Sequence, residues 1–170
     1  MKNIIKFFAL ALILTGFSAT SFGQVSATAT ATATIITPIT IANAGDMNFG
    51  NVAVSGTAGT VILAPAGTRS ITGGVTLPVV AGSPAAAHFN VAGMADFTYS
   101  ITIPTTATTV TSGENTMTVT AFTSTPATTG TLSSGGIQTV DVGATLNVGA
   151  SQPAGSYVSG APFSVTVNYN

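Results

Sequence analysis

The closing run Phe163-Ser-Val-Thr-Val-Asn-Tyr169 decides the fold class. Phe163, Val165, Val167 and Tyr169 recur at every second position, with Ser164, Thr166 and Asn168 between them. A period of two sends successive side chains to opposite faces of a strand, so one face is apolar and the other polar. The same alternation marks residues 97–103 and 117–122. It is uninterrupted over residues 25–34, where Ala and Thr take turns after Val25 and Ser26. Further strands are expected at 46–52, 60–64, 74–80, 87–91, 138–148 and 156–158. Turn signals separate them: Asn43-Ala-Gly45, Pro65-Ala-Gly67, Gly82-Ser-Pro84, Ser112-Gly113, Ser134-Gly-Gly136 and Pro153-Ala-Gly155. Thr and Val are stiff at the first side-chain torsion and disfavour helix. The pattern predicts an all-β chain: a single immunoglobulin-like or pilin-like β-sandwich of about 8–10 antiparallel strands.

The N-terminus has a different character. Lys2 and Lys6 make a short positive region, and residues 4–13 are apolar apart from Lys6. Thr15, Gly16, Ser18, Ser21 and Gly23 then make the segment small and polar. This is the order of a secretory signal, with cleavage expected after Gly23. The apolar run is short for a membrane span, which needs about 20 residues. No Cys follows it, so lipid attachment through a thiol is excluded. The expected organisation is a signal peptide over 1–23 and one sandwich domain over 24–170. The chain is expected in the periplasm, at the cell surface or outside the cell.

Composition narrows the function. Of 170 residues only 4% are charged, against about 25% in an ordinary domain. Hydroxyls take the place of charges, with 31 Thr and 15 Ser. Beyond the leader, Arg69 is the one strong base, facing Asp46, Asp96, Glu114 and Asp141. Nucleic-acid binding needs clustered Lys and Arg, so it is excluded. With no Cys there is no disulfide, and with one His no ordinary structural zinc site. His88 is the only imidazole. A hydrolytic triad would need it beside a Ser and an Asp, with Asp96 the nearest acid in sequence, and no Gly-x-Ser-x-Gly elbow occurs. Asp46-Met-Asn48 has the first two positions of a calcium loop but lacks its later Gly and Glu. The expectation is a chain without catalytic residues, metal or cofactor. Tyr99, Tyr157 and Tyr169 are the only aromatics with a polar tip, and their spacing suits buried positions. Arg69 is expected to be structural, near the Pro65-Ala-Gly67 turn.

The two ends of the chain carry the remaining signal. Residues 24–36 and 163–170 contain no charged side chain. Soluble proteins usually blunt strand edges with charge or Pro, because an open edge templates pairing. Unblunted edges suit a polymer, in which an extension of one subunit can complete the sheet of the next.

Several ordered motifs also resemble a known family. They are residues 31–41, Asp46-Met-Asn-Phe-Gly-Asn-Val52, Ala64-Pro-Ala-Gly-Thr-Arg69, Gly73-Gly-Val-Thr-Leu77, Val142-Gly-Ala-Thr-Leu-Asn-Val-Gly-Ala150 and the closing Val165-Thr-Val-Asn-Tyr-Asn170. Together they resemble the bacterial domain-of-unknown-function family 4402, which implies a secreted β-sandwich. More distantly, Phe49-Gly50 and Gly155-x-Tyr157 before a last strand ending near Tyr169 are similar to spore coat U and archaic chaperone–usher pilins. That resemblance implies a structural subunit of a surface assembly and a periplasmic chaperone as partner. It also implies that residues 25–34 are a donor strand presenting Val25, Ala27, Ala29, Ala31 and Ala33. Phe163, Val165, Val167 and Tyr169 would then flank the acceptor groove. The competing expectation is a self-complete secreted monomer that binds glycan or protein, with residues 25–36 as its own first strand.

Overall fold

A computed structural model describes residues 23–170. Nearly all of the expected leader, residues 1–22, lies outside the described residues. The chain divides into two compact units, Met1–Thr34 and Ile35–Asn170. The second unit holds eleven strands and, among the described residues, no helix. They are β1 (Thr40–Gly45), β2 (Ala53–Leu63), β3 (Arg69–Thr76), β4 (Ala87–Ala92), β5 (Thr98–Thr102) and β6 (Thr108–Ser112). The rest are β7 (Asn115–Thr125), β8 (Thr129–Thr131), β9 (Ile137–Val148), β10 (Val158–Ser159) and β11 (Thr166–Tyr169).

Eight strands form one sheet, in the order β1-β4-β9-β7-β6-β10, with β2 pairing both β9 and β3. The other three form a small sheet, β11-β5-β8. All ladders are antiparallel. The large sheet forks along β9. Its first half, Ile137 to Val142, pairs with β4, and its second half, Ala144 to Val148, pairs with β2. Gly143 sits between them, and a Cβ there would collide with the carbonyl oxygen of Leu63. Only a glycine lets the two branches come this close. On its other side β9 meets β7, whose ladder shifts between Thr120 and Thr123. Ala121 takes a positive φ of 49° at this bulge. The extra residue resets the alternation and turns Phe122 into the core.

The inner faces meet in one core. Val61, Val75, Val91, Val140, Val142 and Leu146 come from the large sheet; Tyr99, Ile101 and Val167 come from the small one, and Val165 immediately precedes β11. Outward positions carry hydroxyls and amides, such as the Thr60–Thr72 pair at 2.7 Å. Asn147 Nδ2 donates to the hydroxyls of Thr118 and Thr120. Three strands cover the inner face of eight only in part. Ile39, Ile41, Met47, Phe89, Ile103 and Phe163 pack on the core yet stay half-buried.

The structure changes several expected elements. Residues 23–39 form no strand in the single chain, although 25–34 have the clearest alternation. A strand exists only through its ladder, and this stretch has no partner strand among the described residues. The segment 46–52 is a loop with one bridge, Asn48 to Ala85. Side chains take up its backbone groups: Asn48 Oδ1 accepts from Gly50 N–H, and Arg69 takes two carbonyls. Arg69 is therefore structural, but it ties down this loop rather than the Pro65-Ala-Gly67 turn. That turn closes on backbone hydrogen bonds alone, Gly67 N–H to Ala64 O and Ala64 N–H to Thr68 O. The Asn43-Ala-Gly45 signal is a bulge within β1, not a turn. Strands β1, β6 and β8 lie outside the expected segments.

Candidate functional site

The last strand has the phase that its sequence dictates. Val165 and Val167 are buried, Phe163 and Tyr169 are half-buried, and Ser164, Thr166 and Asn168 are exposed. Phe163 wedges edge-on against Phe89 at 6.3 Å and lies 5.0 Å from Phe122. β11 pairs with β5 through Thr166–Thr102, Val167–Ile101, Asn168–Ser100 and Tyr169–Tyr99. Asn170 N–H donates to Thr98 O, which marks the even-numbered residues of β11 as those hydrogen-bonded to β5. Antiparallel pairs alternate, so the N–H and C=O of Val167 and Tyr169 point away from β5. On that side β11 has no ladder partner among the described residues. The small sheet thus ends in an open edge with no charged side chain.

Tyr169 fixes the end of this edge. Its hydroxyl accepts from Met94 N–H at 2.6 Å and donates to Thr37 O at 2.9 Å. Its ring meets Phe97 edge-on at 5.7 Å. At the other end of β11 lies a cavity of about 660 Å³. It is bounded by the two connections that carry the chain between the sheets, around Ile103 and Pro104 and around Pro162 and Phe163. Thr102, Thr109, Ser164 and Thr166 add hydroxyls to its wall, and none of its lining residues is charged.

The expected donor residues belong to the other unit. Val25, Ala27, Ala29, Ala31 and Ala33 are all exposed, Val25 at 97%. Ile35 is also 97% exposed. So the structure gathers Phe163, Val165, Val167 and Tyr169 along one edge and leaves the odd-numbered residues 25–33 in solvent. The cavity was not legible, because its two walls come from connections more than fifty residues apart in sequence.

The other residues singled out by sequence have local roles. His88 Nδ1 bonds Asp141 Oδ1 at 2.5 Å, not Asp96, on the outer face where β4 meets β9. Both side chains are partly exposed, and no Ser hydroxyl bonds the ring among the described residues. Asp46 Oδ1 accepts from Asn43 Nδ2, and no group of three His, Asp or Glu is gathered among the described residues. Tyr99 is fully buried and donates to Gln138 Oε1 at 2.6 Å. Desolvation pushes its phenol pKa above the usual value. Tyr157 donates to Pro153 O and accepts from Gln152. No helix among the described residues is long and apolar enough to cross a membrane.

A family match runs over residues 39–169 and takes in all eleven strands. The chain belongs to the family described as a domain of unknown function, DUF4402. The matched span contains the Arg69 anchor, the fork at Gly143 and the β11 edge; residues 24–36 precede it. No curated protein and no solved structure matches the chain.

Proposed function

We propose that this protein is an exported structural subunit of a cell-surface or extracellular assembly, joined to its neighbours by β-strand complementation. The observation that carries this reading is a pair of features in one chain. A three-stranded sheet ends in an unblunted edge at β11, and an uncharged extension of alternating Ala and Thr, exposed through Ile35, precedes the sandwich. An open apolar edge is a hazard in a monomer and a joint in a polymer. The half-buried side chains between the sheets add to the case, because one more strand beside β11 would cover part of them. A periplasmic chaperone would occupy the same edge before assembly. The self-complete alternative needs residues 25–36 as the first strand of their own sandwich, and residues 23–39 form no strand.

The test compares chain 24–170 with chain 36–170 by size-exclusion chromatography with light scattering, alongside thermal melting. Every strand and the core cluster lie within 39–170, so the shorter chain keeps the whole fold. The expected result is concentration-dependent oligomers for 24–170 and a folded monomer for 36–170. A stable monomer for 24–170 at every concentration refutes the proposal.

A further inference from the structure

We propose that Val25 and Ile35 are register locks, by which the extension of one copy seats antiparallel on the β11 edge of a second copy. The inference rests on the strand-complementation reading above. Residues 27–34 are four successive Ala-Thr dipeptides. Sliding such a strand by two residues restores the same side chains at every place, so the repeat cannot fix its own pairing. Val25 and Ile35 can. They lie at odd positions with Ala27, Ala29, Ala31 and Ala33, so in an extended strand all six share one face. That face is bulky at both ends and small between, and both ends are 97% exposed.

Lengths and orientation agree with this seat. Ten residue steps from Val25 to Ile35 span about 33 Å, and six steps from Phe163 to Tyr169 span about 20 Å. A centred extension therefore overhangs each end of the edge by about 6–7 Å. Thr37 is held at the Tyr169 end of the chain's own β11. A fold-back from there would run parallel, whereas a second copy can pair antiparallel, which is the more stable ladder. Antiparallel pairing puts Ile35 at the cavity beside Ile103, Pro104 and Phe163, and Val25 beside Phe97, which is 40% exposed. Between them Val165 and Val167 are already 9% and 7% exposed. Little space remains for added side chains there, and alanine suits it.

The experiment measures the association constant of chain 24–170 by sedimentation, with melting curves to confirm that each variant folds. Val25→Thr and Ile35→Thr keep the strand and remove an apolar lock; each is expected to weaken association about tenfold or more. Deleting Ala29 and Thr30 keeps the alternation but brings the locks about 7 Å closer, so only one can seat, with a similar loss. Thr30→Val, on the opposite face, is expected to leave the constant unchanged. Wild-type association in both Thr variants and in the deletion would overturn the locks while leaving strand exchange standing. A wild-type chain that never associates would remove the underlying reading and the locks with it.

Discussion

Replacing Arg69 by Ala removes the single cation that organises the loop between β1 and β2. Its Nη1 donates to Phe49 O at 2.7 Å and to Asn51 O at 3.0 Å. A hydrogen bond from a charged donor contributes about 1.5–3 kcal/mol. The Asn51 bond is exposed and belongs at the low end; the Phe49 bond is part-buried, and its loss leaves a carbonyl with poor access to water. The expected destabilisation is about 3 kcal/mol. For a domain of this size each kcal/mol lowers the melting temperature by about 2–4 °C, so the drop is about 6–12 °C. Circular dichroism melts of chain 24–170 read it directly. Amide exchange adds a local check, since Asn48 N–H, bonded to Ala85 O, should lose protection first. A melting temperature within about 2 °C of wild type would refute the role assigned to Arg69.

Other outcomes follow from the same core. Val167→Asp places an unpaired charge at a position only 7% exposed, and the chain is expected not to fold; a normal melting transition would remove β11 from the core. Gly143→Val forces a side chain into Leu63 O at the fork and is expected to yield no folded protein in a soluble-expression assay, whereas a wild-type melt would show that the branches can part. Burial raises the Tyr99 pKa in the folded chain, so the unfolded chain loses its phenolic proton first as pH rises. This contribution to stability is full below the unfolded value and lost as pH climbs through the folded one. The melting temperature is expected to fall as pH rises past the ordinary phenol value of about 10, and less steeply in Tyr99→Phe; equal slopes would contradict it.

Periodicity made the class and the ends of this fold legible. Phe163, Val165, Val167 and Tyr169 share an inner face as their spacing requires, and β9 occupies nearly the span expected for it. What periodicity could not show is pairing. Residues 25–34 alternate better than any other stretch yet form no ladder, while β8 has only three residues and no pattern of its own. The loop at 46–52 looked like a strand because Met47 and Phe49 alternate with polar residues. Its backbone is instead satisfied by Arg69 and Asn48, partners that sequence spacing does not reveal. His88 meets Asp141 across 53 residues, a separation at which spacing carries no signal. Where a side chain takes over from a ladder, alternation stops being informative.

The Tyr169 hydroxyl has a mechanical consequence. In an assembly of the kind proposed, each subunit is pulled at two points, where its own extension leaves near Thr37 and where β11 grips its neighbour. Tyr169 joins those two points directly, through its bond to Thr37 O, and is anchored to Met94 N–H. Tension would therefore cross the molecule by a short path at one end of the sandwich. The long ladders of β2, β7 and β9 lie off that path and would carry little of the load.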